Sequence, residues 1–410
     1  MFSSKFKLIA RGYRYTVASV VIGLSLTQAS HANIDHLHAE NANSGYESSL
    51  LNVLSAIDER NLSTALILVN SHLVKFPESR EGHFLRADIL KAQSGALAKL
   101  GDSPLVDSEN LVKFRHQLQN RLKHSGVVAD ISHTHFPSNL ISIGEHKHVI
   151  VADMTNGRLY LYKNDQGQPV LLRDYYMSIG SAGFGKEVEG DNRTPVGVYQ
   201  INRYIEGKAL PDLYGKGAFP VDYPNRYDRF LKRTGYGIWL HGTPSSTYAR
   251  SPWSSEGCFV LSNDDLLDIG KYISAKERTP VILSDSIEWL SNDELAAKKA
   301  DYLAVIEKWK ADWESLDVPA YLDHYEKEDF NFGAGNYKKW SKRKQTVNAN
   351  KTFVQLDLDL QSLFIYPGDK DMFVVKYKQR YLSNNYSGET DKEQYWQRNK
   401  KGEWKIIYEG

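Results

Sequence analysis

Two neighbouring stretches decide the fold of the middle of the chain: Ile238-Trp239-Leu240-His241-Gly242-Thr243 and Ser254-Ser255-Glu256-Gly257-Cys258-Phe259-Val260-Leu261-Ser262-Asn263. Each stretch contains a short apolar run, which predicts a buried strand. His241 ends the first run, and Cys258 precedes the second. Cys258 is also the single cysteine of the chain. The two strands therefore carry a candidate base and a candidate nucleophile.

The chemistry of a cysteine nucleophile explains the residues around this pair. A thiol becomes reactive when a nearby base or cation takes or stabilises its charge, and His241 is the natural candidate. Gly257, directly before Cys258, permits a tight turn and a close approach of substrate. Backbone N–H groups at such turns form oxyanion holes. We therefore predict Cys258 and His241 as catalytic, and Gly257, Ser255 and Gly242 as oxyanion-hole or supporting residues.

The spacing of 16 residues between His241 and Cys258 resembles the L,D-transpeptidase (YkuD-type) catalytic domain. Flanking motifs with the same resemblance are Ser178-Ile179-Gly180, Thr194-Pro195-Val196-Gly197-Val198-Tyr199 and Arg278-Thr279-Pro280-Val281. The resemblance spans roughly residues 146 to 285. It implies a cysteine acyl-transfer enzyme acting on peptidoglycan stem peptides at the bond between diaminopimelate and D-Ala. It implies neither a cofactor nor a metal.

Two departures from the family pattern bear on the outcome of the reaction. Glu256 stands where the family has a second histidine, and Val260 stands where it usually has an arginine. These two departures, together with the α+β module at the C-terminal end of the chain, resemble the branch of L,D-carboxypeptidases that set helical cell shape. We expect hydrolysis, or cleavage of an existing wall linkage, to be favoured. The alternatives are a cross-link-forming L,D-transpeptidase, an exported cysteine protease, and a catalytically inactive wall-binding adaptor.

Charge and composition exclude several classes of protein. The chain has 410 residues, with 51 Lys and Arg against 50 Asp and Glu, so no excess of positive charge favours nucleic acid. Its length predicts two or three domains. A single cysteine permits neither an internal disulfide nor a cysteine zinc cluster. The histidines that could suggest a metal are interpreted as solvated positions: His133, His135, His146 and His148.

The N-terminus has the pattern of a secretory signal peptide. Four basic residues precede the apolar run Thr16–Thr27, which is too short to span a bilayer, and Ser30-His31-Ala32 offers small residues for cleavage. We predict a signal peptide over residues 1–32, export to the periplasm, and no membrane span after cleavage.

The rest of the sequence predicts a multidomain protein. Residues 33–135 form a helical region, in which Ala56 to Pro77 resembles one tetratricopeptide-type helix pair. This region either binds a protein partner or packs against the rest of the chain. Residues 140–286 form a mostly-β catalytic domain. Residues 293–410 read as a long helix followed by a curved antiparallel sheet. This α+β pattern resembles the nuclear-transport-factor-like cone, which implies a pocket.

A long insertion precedes His241. It is rich in tyrosine and proline, namely Tyr204, Tyr214, Tyr223, Tyr227, Pro211, Pro220 and Pro224. Two interpretations stay open: a lid over the site, or a packed loop.

Overall fold

The computed structural model describes residues 44–95, 118, 121, 134–328, 330–332, 335–368 and 370–410. The predicted signal peptide over residues 1–32 and His133 lie outside the described residues. Among the described residues, no helix has the length and apolar character needed to cross a membrane.

Within those residues, the helices and strands follow the sequence patterns. The helices are α1 (Ser44–Asp58), α2 (Leu62–Lys75), α3 (Arg80–Gln93), α4 (Arg226–Phe230), α5 (Asn263–Ile269), α6 (Asn292–Glu314), α7 (Val318–Asp323) and α8 (Tyr337–Asn348). The first strands are β1 (His135–Pro137), β2 (His148–Asp153), β3 (Arg158–Asp165), β4 (Gln168–Tyr176), β5 (Ile179–Gly180), β6 (Gly197–Gln200), β7 (Ile205–Glu206), β8 (Gly217–Pro220), β9 (Trp239–His241) and β10 (Trp253–Ser255). The others are β11 (Phe259–Val260), β12 (Pro280–Ser284), β13 (Trp289–Ser291), β14 (Asn331–Phe332), β15 (Gly335–Asn336), β16 (Val354–Ile365), β17 (Met372–Ser383), β18 (Tyr386–Arg398) and β19 (Trp404–Glu409).

Helices α1 to α3 form the N-terminal helical layer. The side chain of Asn61 caps α2 at Thr64 N, and that of Ser79 caps α3 at Gly82 N, which satisfies N–H groups that the helices leave free. Apolar residues at helical spacing pack between the helices: Leu50, Val53, Ala65, Val69, Leu85 and Ile89. Tyr46 and Phe76 of this layer contact Tyr248, which lies between the two stretches that carry the candidate site. Part of the helical surface therefore packs against the central domain.

The central domain is built mainly of strands. A five-stranded sheet has the order β4-β3-β2-β12-β6, and a four-stranded sheet has the order β11-β9-β8-β7. Strand β5 pairs with β10 in a further short sheet. Ile150, Leu161, Leu240 and Phe259 pack in one buried cluster. That cluster fixes the two strands that hold the candidate residues.

The C-terminal domain is a helix-and-sheet cone. A capping box between Ser291 and Glu294 starts α6, and α6 buries Trp309 against the six-stranded sheet β15-β14-β19-β18-β17-β16. The cone contains a cavity of about 500 Å³, which is lined in part by Trp313 and Lys344. A second apolar cluster, which includes Val149 of β2 and Val374 of β17, joins this domain to the central one. The predicted fold class, helical region, mostly-β domain and α+β cone, is confirmed.

Candidate active site

The pairing of β9 with β11 brings the two candidate catalytic residues to one face. The strands are parallel, with Phe259 opposite Leu240 and Val260 opposite His241. Leu240 and Phe259 point into the core and are fully buried. Because side chains alternate along a strand, Cys258 and His241 lie on the opposite face from those two residues. Strand register therefore places two residues that are distant in the sequence on the same face of the paired strands.

The turn before Cys258 requires glycine. Gly257 has φ +120°, and a Cβ at this position would lie 2.8 Å from the carbonyl oxygen of Arg193. The Ser255 hydroxyl donates to the carbonyl of Cys258 at 2.5 Å and accepts from the N–H of Gly257 at 3.1 Å. Thr194 donates to the carbonyl of Gly257 at 3.0 Å. These contacts fix the backbone on both sides of the candidate nucleophile.

The imidazole of His241 is held in a single tautomer. Nδ1 lies 2.6 Å from the carbonyl oxygen of Gly242, and a carbonyl only accepts, so Nδ1 carries the proton. Nε2 is then the unprotonated nitrogen, ready to accept a proton. Burial lowers the pKa of His241 to about 4, while the Gly242 hydrogen bond raises it and Arg250 lowers it. His241 is thus a neutral base at neutral pH.

Cys258 is also neutral in the resting protein. Its Sγ donates to the carbonyl oxygen of Gly237 at 3.3 Å. Burial raises the pKa of the thiol to about 11, with Glu256 acting in the same direction, while a hydrogen bond from Trp239 and the charge of Arg250 lower it. Because the thiol and the imidazole are both neutral at rest, a thiol proton can reach His241 only as the sulfur attacks.

The structure narrows the predicted roles of the three supporting residues. The N–H of Gly257 already donates to Ser255, and the N–H of Gly242 already donates to the carbonyls of Tyr214 and Gly217. The Ser255 hydroxyl is engaged with the carbonyl of Cys258. In the resting protein these hydrogens therefore have partners, which favours the supporting role, while the oxyanion-donor role stays a prediction. Gly257, Ser255 and Gly242 are placed to support the turn and the imidazole.

The insertion before His241 divides into a packed part and a covering part. Tyr223 and Tyr227 are buried in the core, whereas Tyr204 is 45% exposed. Tyr214, in a single 3₁₀ turn, contacts the ring of His241 edge-on with centroids 5.1 Å apart and that of Trp239 at 5.0 Å. The packed-loop interpretation holds for the first two tyrosines, and Tyr214 covers the imidazole.

One charged residue at this site was not identified from the sequence. Arg250 lies between the two stretches, and its guanidinium donates to the carbonyl of Ser254. Burial lowers the pKa of Arg250, while Cys258 and Glu256 raise it, which shows that both groups lie within electrostatic range. Glu256 is exposed, as expected for a rim residue. No spacing signal in the sequence marks Arg250, because its position depends on how the loop folds.

Comparison with protein families agrees with this geometry. Residues 147–283 match the model of the L,D-transpeptidase catalytic domain. The chain carries an L,D-transpeptidase catalytic domain. Residues 301–410 match the model of the Cds6 C-terminal NTF2-like domain, where NTF2 stands for nuclear transport factor 2. Both resemblances predicted from the sequence are confirmed. No curated protein matches the chain.

Solved structures with the same arrangement span most of the chain. Bd1075 of Bdellovibrio bacteriovorus is 28% identical, with coverage of 67% of this chain and 97% of that chain, and a TM-score of 0.59. The helical cell shape determining protein Pgp2 from Campylobacter jejuni is 23% identical, with coverage of 69% and 97% and a TM-score of 0.55. The second likeness shows a shared fold.

Within the described residues, no group of three or more His, Cys, Asp or Glu side chains is arranged to hold a metal ion.

The neutral thiol of the L,D-transpeptidase domain predicts slow alkylation at neutral pH. With a pKa of about 11, Cys258 should react with iodoacetamide roughly 100-fold more slowly at pH 7 than an ordinary peptide thiol. The rate should rise about tenfold for each pH unit towards that pKa. Mass spectrometry of the native chain measures the rate at one site, because Cys258 is the single cysteine. The urea-unfolded chain is the control and should react as an ordinary thiol. Rapid native labelling with a plateau near pH 7 would instead indicate a preformed thiolate.

Proposed function

We propose that the protein cleaves peptidoglycan stem peptides between diaminopimelate and the terminal D-Ala, through a thioester on Cys258. The observation that carries the proposal is the shared face of Cys258 and His241, together with the Gly242 carbonyl that leaves Nε2 of His241 free to accept a proton. The match to an L,D-transpeptidase catalytic domain supports the same class of reaction.

The proposed acylation step uses only these two side chains. Sγ of Cys258 attacks the diaminopimelate carbonyl carbon, and the thiol proton passes to Nε2 of His241. The C–N bond of the tetrahedral intermediate breaks, and His241 returns the proton to the amine of the departing D-Ala. The thiol must first leave the carbonyl of Gly237, to which it donates at 3.3 Å in the resting protein.

The proposed second step is hydrolysis. Water attacks the thioester carbonyl while His241 takes its proton, the C–S bond breaks, and the proton returns to Sγ. An amine acceptor would give a cross-link, but an acyl-enzyme favours whichever acceptor is held in line with its carbonyl. Val260 is buried and apolar, and Glu256 is exposed. Neither residue supplies a positive charge at the two positions where the family has a histidine and an arginine, so neither helps to hold an acceptor peptide there.

The products of a defined substrate test the proposal. We expect incubation of the full mature chain with disaccharide tetrapeptide to give free D-Ala and disaccharide tripeptide, with few cross-linked dimers. Mass spectrometry of the muropeptides measures the ratio. Abundant dimers with little tripeptide would support the cross-linking alternative, and an unchanged tetrapeptide would contradict acyl transfer at this bond.

The cellular setting of the proposal comes from the sequence. The basic and apolar N-terminal segments of residues 1–32 support export to the periplasm, where the wall is accessible. By resemblance to the cell-shape branch of the family, we extend the proposal to trimming of stem peptides that sets cell shape. In this proposal, the NTF2-like domain and the helical region are accessory domains of an enzyme that acts on the cell wall.

A further inference from the structure

Arg250 has the surroundings of an anion-binding residue. Its guanidinium is partly buried and donates to the carbonyl of Ser254, next to the turn that presents Cys258. Among the described residues, no carboxylate lies within ion-pair distance of it, although another partly buried arginine of the same domain is paired, namely Arg233 with Asp228 at 2.9 Å. A partly buried cation without a counter-charge favours an anionic ligand, because the guanidinium keeps several donors in a fixed fork.

The backbone of Arg250 is held in place from two directions. Its carbonyl accepts hydrogen bonds from the Tyr176 hydroxyl at 3.0 Å and from the Ser178 hydroxyl at 2.9 Å. The guanidinium of Arg121 lies over the ring of Tyr176 at 3.8 Å. These contacts fix the point from which the side chain of Arg250 extends, and the hydrogen bond to Ser254 holds its guanidinium next to the turn.

The helical layer also holds Tyr248, which lies two residues before Arg250 in the same loop. The ring of Tyr248 stacks on Tyr46 of α1, with centroids 4.1 Å apart and planes 10° apart, and contacts Phe76 edge-on at 5.1 Å. The N–H of Tyr248 donates to the carbonyl of Glu78 at 3.1 Å. The helical region therefore helps to set the position of Arg250.

We propose that Arg250 forms a subsite for a carboxylate of the stem peptide, held in register with Cys258 by the helical region. This subsite rests on the proposed function and adds a specificity determinant to it. Glu256 is exposed at the same turn and repels a carboxylate. The opposite charges of Arg250 and Glu256 define where on the rim the substrate carboxylate lies. Two carboxylates are chemically equivalent candidates, the C-terminal one of D-Ala and the side-chain one of diaminopimelate.

The experiment compares three tetrapeptides: the free acid, the D-Ala C-terminal amide, and the peptide amidated at the side chain of diaminopimelate. For the wild-type chain, we expect one of the two amides to lower kcat/KM by roughly 10- to 100-fold, because a charge-assisted hydrogen bond is lost. Arg250→Met should lower kcat/KM for the free acid by a similar factor. It should leave kcat/KM unchanged for the amide that the wild-type chain uses poorly. Arg250→Lys should restore part of the loss, because it keeps the charge without the fork.

Two further variants separate the subsite from general damage. Arg203→Met, which removes an exposed arginine elsewhere in the same domain, should behave as the wild type. Tyr248→Leu, which removes the stacking on Tyr46, should weaken discrimination between acid and amide in the same direction as Arg250→Met. Equal losses of kcat/KM on the acid and on both amides would overturn the proposal, as would a wild-type chain that accepts all three substrates equally.

Binding to the Cys258→Ser chain distinguishes failure of the subsite from failure of the proposed function. Calorimetry needs no turnover, so it reports recognition of the acid over one amide even if the wild-type chain releases no D-Ala. In the Cys258→Ser background, Arg250→Met should remove that preference. Equal affinity for all three peptides with Arg250 intact would overturn the subsite whatever the reaction proves to be.

Discussion

Cys258→Ser should reduce release of D-Ala by roughly 10⁴-fold or more, because the hydroxyl is a much weaker nucleophile than the thiol it replaces. The change replaces the polarisable sulfur atom by oxygen and leaves the fixed turn around residue 258 intact. The hydrogen bonds of Ser255 to Gly257 and Cys258 involve backbone groups that the substitution keeps. The expected product is therefore a folded, inactive chain, measured by tripeptide formation and by thermal unfolding.

His241→Ala should cost a comparable factor, because base and nucleophile act as a unit. The double variant should lose little more than either single one, so the two effects should not multiply. His83→Ala is the matched control, since that exposed histidine lies in the helical layer, where its ring hydrogen-bonds to the carbonyl of Pro77. Near-normal turnover in Cys258→Ser would rule out a thioester, and multiplied losses in the double variant would argue that the two side chains act independently.

The sequence predicted the candidate nucleophile and base because each lies at the end of a predicted strand. Apolar runs before His241 and after Cys258 gave β9 and β11, and the alternation of side chains then placed both residues on one face. Gly257 followed from the same reasoning, since a tight turn before a nucleophile needs a residue free of a Cβ. The structure supplied the physical reason in the carbonyl of Arg193, which lies 64 residues earlier in the chain and which no local pattern reveals.

The parts that the sequence did not predict depend on contacts between distant segments. The position of Arg250 is set by Tyr176 on β4 and, through Tyr248, by the helical layer. The alternatives for the helical region stayed open because a helix pair has the same periodicity whether its surface meets a partner or its own chain. The Tyr46 surface is now assigned to packing, whereas a protein partner for the rest of this region stays a prediction.

The donors of the oxyanion hole show another limit of sequence reasoning. Glycine and serine near a nucleophile favour such a site, but a donor serves only if its hydrogen is free. Here the hydrogens of Gly242, Gly257 and Ser255 are used within the protein. Hydrogen-bond accounting requires coordinates, because the partners Tyr214 and Gly217 come from the insertion whose course the sequence left open.

Gly257→Ala should lower kcat by roughly 100-fold or more with a modest loss of stability. The new Cβ would lie 2.8 Å from the carbonyl oxygen of Arg193 and 3.2 Å from Cδ1 of Ile238, so the turn must shift. A displacement of about 1 Å at a reacting atom is enough for a hundredfold loss of rate. The positive φ adds strain on the order of 1–3 kcal/mol. Rates of D-Ala release and the thermal unfolding temperature measure the two effects separately.

Gly167→Ala is the matched control for that substitution. Gly167 lies in the turn between β3 and β4 with φ +90°, and a Cβ there would meet nothing within 4 Å. Alanine at either position carries the strain of a positive φ, but only at residue 257 does it also push on the backbone that presents the thiol. If both variants lose the same activity, strain alone explains the effect. A large loss confined to Gly257→Ala would instead mean that the rate depends on the position of Cys258, which the carbonyl of Arg193 and the absence of a Cβ at residue 257 jointly determine.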